Sequence, residues 1–172
     1  MATSTRCAQC GEEHEGLPTD YGFQLPDDVH ALSYIDRYRR AHFNKDVCVL
    51  DGERHFVRGL LYVPFVHRAD AFAWGVWAEV SREAHDAYVE HFDDDALLGA
   101  KRPGRMANTL QGFPDATGSL LEVEFRDHRS RPMLRFPKDL HHPLAQDQHR
   151  GIDATRHVEY AKWCGCDPHR SH

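Results

Sequence analysis

The sequence predicts an α+β fold, a largely antiparallel sheet with helices on one face and a zinc-knuckle-like turn at the N-terminus. Three observations carry this reading. Asp51-Gly52 separates two apolar runs and supplies the positive φ angles that a two-residue hairpin turn requires. Phe72, Trp74, Val76, Ala78 and Val80 alternate with Ala73, Gly75, Trp77 and Glu79, the period of a strand with one strongly buried face. Helix-start signals occur at Pro26-Asp27-Asp28 and at Ser81, where a hydroxyl can accept from exposed first-turn amides. With 172 residues, 41% of them hydrophobic, the chain suits one core. We read residues 1–163 as a single domain that includes a metal knuckle over 7–14, and 164–172 as a Cys/His-containing tail.

In chain order, the turn-rich link Gly16-Leu17-Pro18 leads to a helix expected from about Asp27 to Phe43. Val29, Leu32, Ile35, Tyr38 and Phe43 form its apolar side, and Arg37, Arg39 and Arg40 suit its negative C-terminal end. The hairpin runs from Val47 to Phe65. A two-residue turn sets Leu50 opposite Glu53 and therefore Cys48 opposite His55. A helix from Arg82 to Phe92 follows the alternating strand. From Asp93 to Ser119 the breakers Pro103-Gly104, Gly112 and Pro114-Asp115 read as one long loop with at most a helical turn near Met106 to Leu110. Strands at Leu120 to Phe125 and Met133 to Phe136 come next. His142-Pro143 opens a short helix that Gly151 ends, and Asp153 caps a last helix through Trp163.

The net charge of -6 excludes the basic surface that phosphate backbones require, so no nucleic-acid partner is expected. No apolar run reaches the roughly 20 residues of a membrane span, and the polar start has no signal-peptide core. A cytoplasmic protein without membrane contact is the expectation, its protein or small-molecule partner unknown. Five cysteines, an odd number with one close pair, fit metal ligation better than a disulfide framework. Fourteen histidines make the charge sensitive to pH between about 5 and 7. Phosphate-cradling glycine loops and a nucleophile elbow are absent from the sequence.

Several blocks resemble one bacterial family, domain of unknown function 2199. They are Cys7-x2-Cys10-Gly11-x2-His14-x-Gly16-Leu17-Pro18, Asp46-Val47-Cys48-Val49-Leu50-Asp51-Gly52 with Phe56-Val57-Arg58-Gly59, Trp74-Gly75-Val76-Trp77, Gly112-Phe113-Pro114-Asp115 and His142-Pro143-Leu144-Ala145-x-Asp147-Gln148-x2-Gly151-Ile152. The likeness covers about residues 7 to 160. It implies no particular activity, substrate or catalytic residue, because none is established for the family.

The chemistry-bearing candidates are therefore read from the residues. Cys7 and Cys10, with Gly11 permitting the tight turn, form half of a tetrahedral zinc site, with His14 and Cys48 as the completing pair and His55 as the alternative at that corner. Cys164 and Cys166 offer a four-thiolate completion instead. Iron or another divalent metal can replace zinc among thiolates. A second constellation is His141-His142 with His149, Asp153 and His157; an unbroken helix aligns the last three, whereas a break at Gly151 leaves Asp153 as a cap. Trp77, Phe113 and Arg58 form a candidate pocket, and Arg58 beside Glu79 reads equally as a cross-strand ion pair. The function expected is a metal-binding accessory or binding module in which the metal is mainly structural. The alternative is a small metal-dependent enzyme with an open site around Cys7, Cys10 and His14.

Overall fold

The computed structural model describes residues 4–6 and 13–165, with side chains from 16 onward. The architecture is α+β, and its main sheet closes into a small barrel. The strands are β1 (Ser4–Arg6), β2 (Glu13–Glu15), β3 (Asp20–Gly22), β4 (Ala41–Phe43), β5 (Val47–Leu50), β6 (Arg54–Pro64), β7 (Ala71–Val80), β8 (Lys101–Met106), β9 (Leu120–Glu124) and β10 (Met133–Arg135). The helices are α1 (Asp27–His30), α2 (Tyr34–Arg40), α3 (Arg82–Glu90), α4 (Pro143–Arg150) and α5 (Ala154–Trp163). β1 and β2 form a separate antiparallel ribbon. The main sheet runs β3-β7-β8-β9-β10-β6-β5-β4, and an added β6–β7 pairing closes β6, β7, β8, β9 and β10 on themselves. Only β3–β7 and β10–β6 are parallel pairings in that sheet.

Closure depends on how near β10 comes to β6. Leu60 N donates to Pro132 O at 2.8 Å, and a Cβ on Gly59 would lie 2.7 Å from Leu134 Cγ and 2.8 Å from Pro132 O. Only glycine leaves room for that approach. Alternation along the paired β6 and β7 then sorts side chains into two cores. Val57, Leu61, Val63, Phe72, Trp74, Val76 and Ala78 point inward to the main core, joined by Met106, Leu121, Val123 and Leu134. Phe56 and Trp77 point outward and pack with Leu25, Val29, Ala41, Cys48 and Leu50 in a second core. Trp74 and Trp77 are both buried, on opposite faces of one strand.

Four expectations are corrected. Ala31-Leu32-Ser33 breaks the helix expected from Asp27 to Phe43, because the Ser33 hydroxyl accepts from Asp36 N at 3.1 Å and starts a new helix. Its supposed apolar side does not hold: Val29 is buried, while Ile35 and Tyr38 are 59% and 79% exposed. In the hairpin, Asp51 (φ 56°) and Gly52 (φ 69°) do form the tight turn, closed by Glu53 N donating to Leu50 O at 3.1 Å. Yet Leu50 pairs with Arg54, so Glu53 is an extra residue and Cys48 faces Phe56 rather than His55. Burial decides this register, since it places the fully buried Cys48 and Phe56 together in the second core. Finally, the loop read from Asp93 to Ser119 contains β8, whose Pro103-Gly104 sits between β7 and β9 without breaking the ladder.

The remaining signals give the expected elements. Ser81 accepts from Ala84 N at 3.1 Å, Asp153 from Arg156 N at 2.8 Å, and Gly151 ends α4. The stretch after β8 is tied down by Asn108, which is fully buried. Its Oδ1 accepts from Trp77 N at 2.8 Å, and its Nδ2 donates to Leu25 O and to Asp27 Oδ1, both at 2.9 Å. Asn108 thus joins β7, α1 and the loop in the second core. Asn108→Ala orphans buried groups on two segments and is expected to cost on the order of 2–3 kcal/mol. A denaturation midpoint equal to that of the parent chain would show that water or rearranged backbone replaces those bonds.

Candidate functional site

The clearest grouping of metal-ligating side chains among the described residues is His55, His85 and Asp86, each with one donor atom within 4.8 Å of the others. Local structure explains how they meet. His55 stands on the inward face at the start of β6, opposite Val80, the last residue of β7. Ser81 caps α3 immediately afterwards, and the first turn of that helix carries His85 back over His55, with ring centroids 5.0 Å apart. Both imidazoles are buried, at 6% and 7% exposure, whereas the Asp86 side chain is 57% exposed. The cluster therefore has a dry side and a wet side.

Hydrogen bonding fixes the tautomers. A carbonyl oxygen only accepts, so His55 Nδ1 donates to Glu53 O at 3.1 Å. A carboxylate likewise accepts, so His85 Nδ1 donates to Asp86 Oδ1 at 2.9 Å. Each neutral ring then carries its lone pair on Nε2. The His85 Nε2 atom is buried and has no hydrogen-bond partner. Leaving such an atom unpaired costs on the order of 1–3 kcal/mol. Imidazoles that bind metals show this pattern, with one ring N–H held by a carboxylate or backbone carbonyl and the other nitrogen turned to the ion. Arg82 Nε lies 3.5 Å from Asp86 Oδ2, one helical turn away, and with His85 it holds the Asp86 carboxyl below its usual range, the His85 hydrogen bond contributing most.

The other candidates fall elsewhere. Cys7 and Cys10, and with them residues 7–12 of the expected knuckle, lie outside the described residues, as do Cys166 and the end of the tail. His14 pairs through its backbone with Thr5. Cys48 is fully buried in the second core, on the face of β6 opposite to His55, and burial pushes its thiol up to about 12. Cys164 is buried against the main core. The histidines near the C-terminus separate onto different backbone carbonyls. His142 Nε2 donates to Pro114 O at 2.9 Å, His149 Nε2 to Phe136 O at 2.8 Å, and His157 Nε2 to Pro18 O at 2.7 Å. Gly151 breaks the helix between His149 and Asp153, and Asp153 serves as the cap. Trp77 and Phe113 belong to different cores; Glu79 pairs with Arg54 at 2.8 Å, and Arg58 extends past Gly75 to Gly22.

His85 and Asp86 were missed in the sequence, although a signal existed. Ala84, His85 and Tyr88 share the core-facing side of α3, and a histidine among such positions must find a polar partner.

The family described as "Uncharacterized protein conserved in bacteria (DUF2199)" matches residues 6–152. The chain belongs to this family, as its sequence blocks imply. No curated protein matches the chain, and no solved structure does. No helix among the described residues is long and apolar enough to cross a membrane.

The histidines also set a pH response. Burial, as the largest cause, pushes His157 below its ordinary value of 6.5. Its stabilising contribution is therefore complete above pH 6.5 and is lost as pH falls through the lowered value. Hydrogen bonds donated to Asp94 and Asp95 raise His91 and His128, so their contributions are present below 6.5 and lost as pH rises through the raised values. Imidazole titrations followed by NMR should find His157 titrating at the most acid pH of the three; His157 titrating alongside His128 would contradict this account.

Proposed function

We propose that this family member is a zinc-binding protein in which His55 and His85 hold the ion and Asp86 holds the His85 ring in place, and that it acts as a cytoplasmic binding or accessory module. The observation that carries the reading is the buried His85 Nε2 with no partner, beside a second imidazole in the matching tautomer. A divalent cation supplies what that lone pair lacks, and the Asp86 carboxylate balances its charge. Zinc suits imidazole ligands, one of them backed by a carboxylate. Because His55 comes from β6 and His85 from α3, the ion would staple helix to sheet, which is a structural role. The thiolates of Cys7 and Cys10, completed by His14, are a separate proposed zinc locus near the N-terminus.

Exposure of Asp86 favours a second reading, that of a small metal-dependent enzyme. With two imidazoles as ligands and Asp86 behind one of them, the remaining positions of the ion are left to water or substrate. Cobalt substitution separates the readings, since a closed tetrahedral site and a solvent-open one differ in their visible spectra.

Zinc content and affinity, measured on protein purified without a tag, test the assignment. The parent chain should retain zinc against a weak chelator, and Asp86→Asn should weaken it roughly 10–100-fold by releasing the His85 tautomer. His55→Ala with His85→Ala should remove this zinc while Cys7→Ser with Cys10→Ser leaves it. Undiminished zinc in the double histidine variant refutes the His55–His85–Asp86 centre, and its loss in the cysteine variant then locates the metal at the N-terminal thiolates.

A further inference from the structure

A cleft of about 590 Å³ opens at the C-terminal end of α3. Its walls are the β4–β5 turn, the outward face of β6, the end of α3 with the turn after it, and the loop from β9 to β10. The volume is that of a small-molecule site. Leu60, Tyr88, Phe92, Leu97 and Phe125 give it an apolar lining, with Tyr88 stacked on Phe125 at 5.3 Å between ring centroids. This lining is held in place from beneath by packing of Tyr88 and Leu97 on the main core.

The charges on the rim are unequally matched. Each acid there is already engaged. Asp46 Oδ1 accepts from Arg131 Nε at 3.0 Å, and Asp94 takes His91 Nδ1 at 3.1 Å and Ala96 N at 2.8 Å. Asp127 Oδ1 accepts from Arg129 N at 2.9 Å. The bases are not so matched: Lys45, Arg126 and Arg129 line the cleft, and their side chains form no ion pair among the described residues. Among the described residues the Arg126 side chain hydrogen-bonds to the Tyr62 hydroxyl alone, at 3.3 Å. A guanidinium presents a planar fork of donors suited to a carboxylate or a phosphate, and apolar walls around it reduce the screening that water would provide.

We infer that this cleft binds a small organic anion, a carboxylate or phosphate monoester on an aromatic or aliphatic body, its head against Arg126, Arg129 and Lys45 and its body on Phe92, Leu97 and Phe125. The site is independent of the zinc proposal, because none of His55, His85 and Asp86 lines it. Inorganic phosphate alone would satisfy the bases and leave the apolar lining wet. A hydrocarbon without charge would leave the bases as they are.

Calorimetric titration of the full chain with phenyl phosphate, phenylacetate and inorganic phosphate tests this directly. At least one organic probe should saturate at one per chain and bind roughly tenfold tighter than inorganic phosphate, and the probe that does so identifies the head group. Arg126→Gln should weaken that probe roughly tenfold, and added salt should weaken it further. Arg150→Gln, an exposed charge on α4 outside the cleft, should leave binding unchanged. Should Arg126→Gln fail to fold, Lys45→Gln, on an exposed turn, replaces it with the same expected direction. No saturable binding of either organic probe overturns the proposal. So does binding that Arg150→Gln weakens as much as Arg126→Gln, or that inorganic phosphate matches.

Discussion

Everything in the fold hangs on the close passage of β10 over Gly59. β6 is the strand that the molecule shares: β5 pairs with its first residues, β7 with its whole length, and β10 with one edge near Leu60. A side chain at Gly59 would meet Leu134 and Pro132 and hold β10 away, leaving an open sheet with two raw edges in place of a barrel. With closure, the inward residues of β6 are enclosed by strands, and outward Phe56, with Trp77 of β7 on the same face, packs against Leu25, Val29 of α1 and the β4–β5 segment. The split assigns work to each face. His55 falls inward, where α3 covers it; Leu60 falls outward, where it forms part of the cleft.

Local signals in this sequence fix local elements, and the way distant segments meet is not written in them. The Asp51-Gly52 turn, the alternation of residues 72–80, the Ser81 and Asp153 caps and the Gly151 stop depend on a few neighbouring residues, and each is present. Glu53 defeated the register because a tight turn does not say how many residues follow it before pairing begins; burial of Phe56 beside Cys48 decides that. β8 was hidden by Pro103-Gly104, which reads as a break. Gly104 sits where Val123 and Ala78 leave little room for a side chain, so the residue that looked like loop chemistry serves packing between strands. Closure of the barrel was illegible for a related reason, since no single residue encodes a pairing between strands as far apart as β6 and β10.

The site was half legible. His55 entered as a possible partner for Cys48, on the assumption that the two faced each other, and the extra residue in the hairpin turns it to the opposite face, toward α3. The thiol and the imidazole that looked adjacent are thus separated by the sheet itself. What the sequence could not supply was the return of the chain through Ser81, which places His85 and Asp86 beside a residue some thirty positions earlier.

The buried histidines of this chain fall into two physical kinds, and the difference bears on function. His142 is satisfied at both nitrogens, its Nε2 donating to Pro114 O and its Nδ1 accepting from Leu144 N, so it fastens a loop and a helix start with nothing left over. His157 donates to Pro18 O while its ring packs 4.5 Å from the Phe65 ring centroid, and burial favours its neutral form. These are staples whose hydrogen bonds end within the fold. His85 is built otherwise: its one bonded nitrogen is spent on a surface carboxylate and the other is enclosed without a donor. Packing alone gives no reason to prefer an imidazole there, because an apolar side chain of similar size would fill the space without orphaning a nitrogen. A ligand for that lone pair does give a reason, and the second imidazole and the exposed carboxylate beside it are the groups that a divalent cation would need.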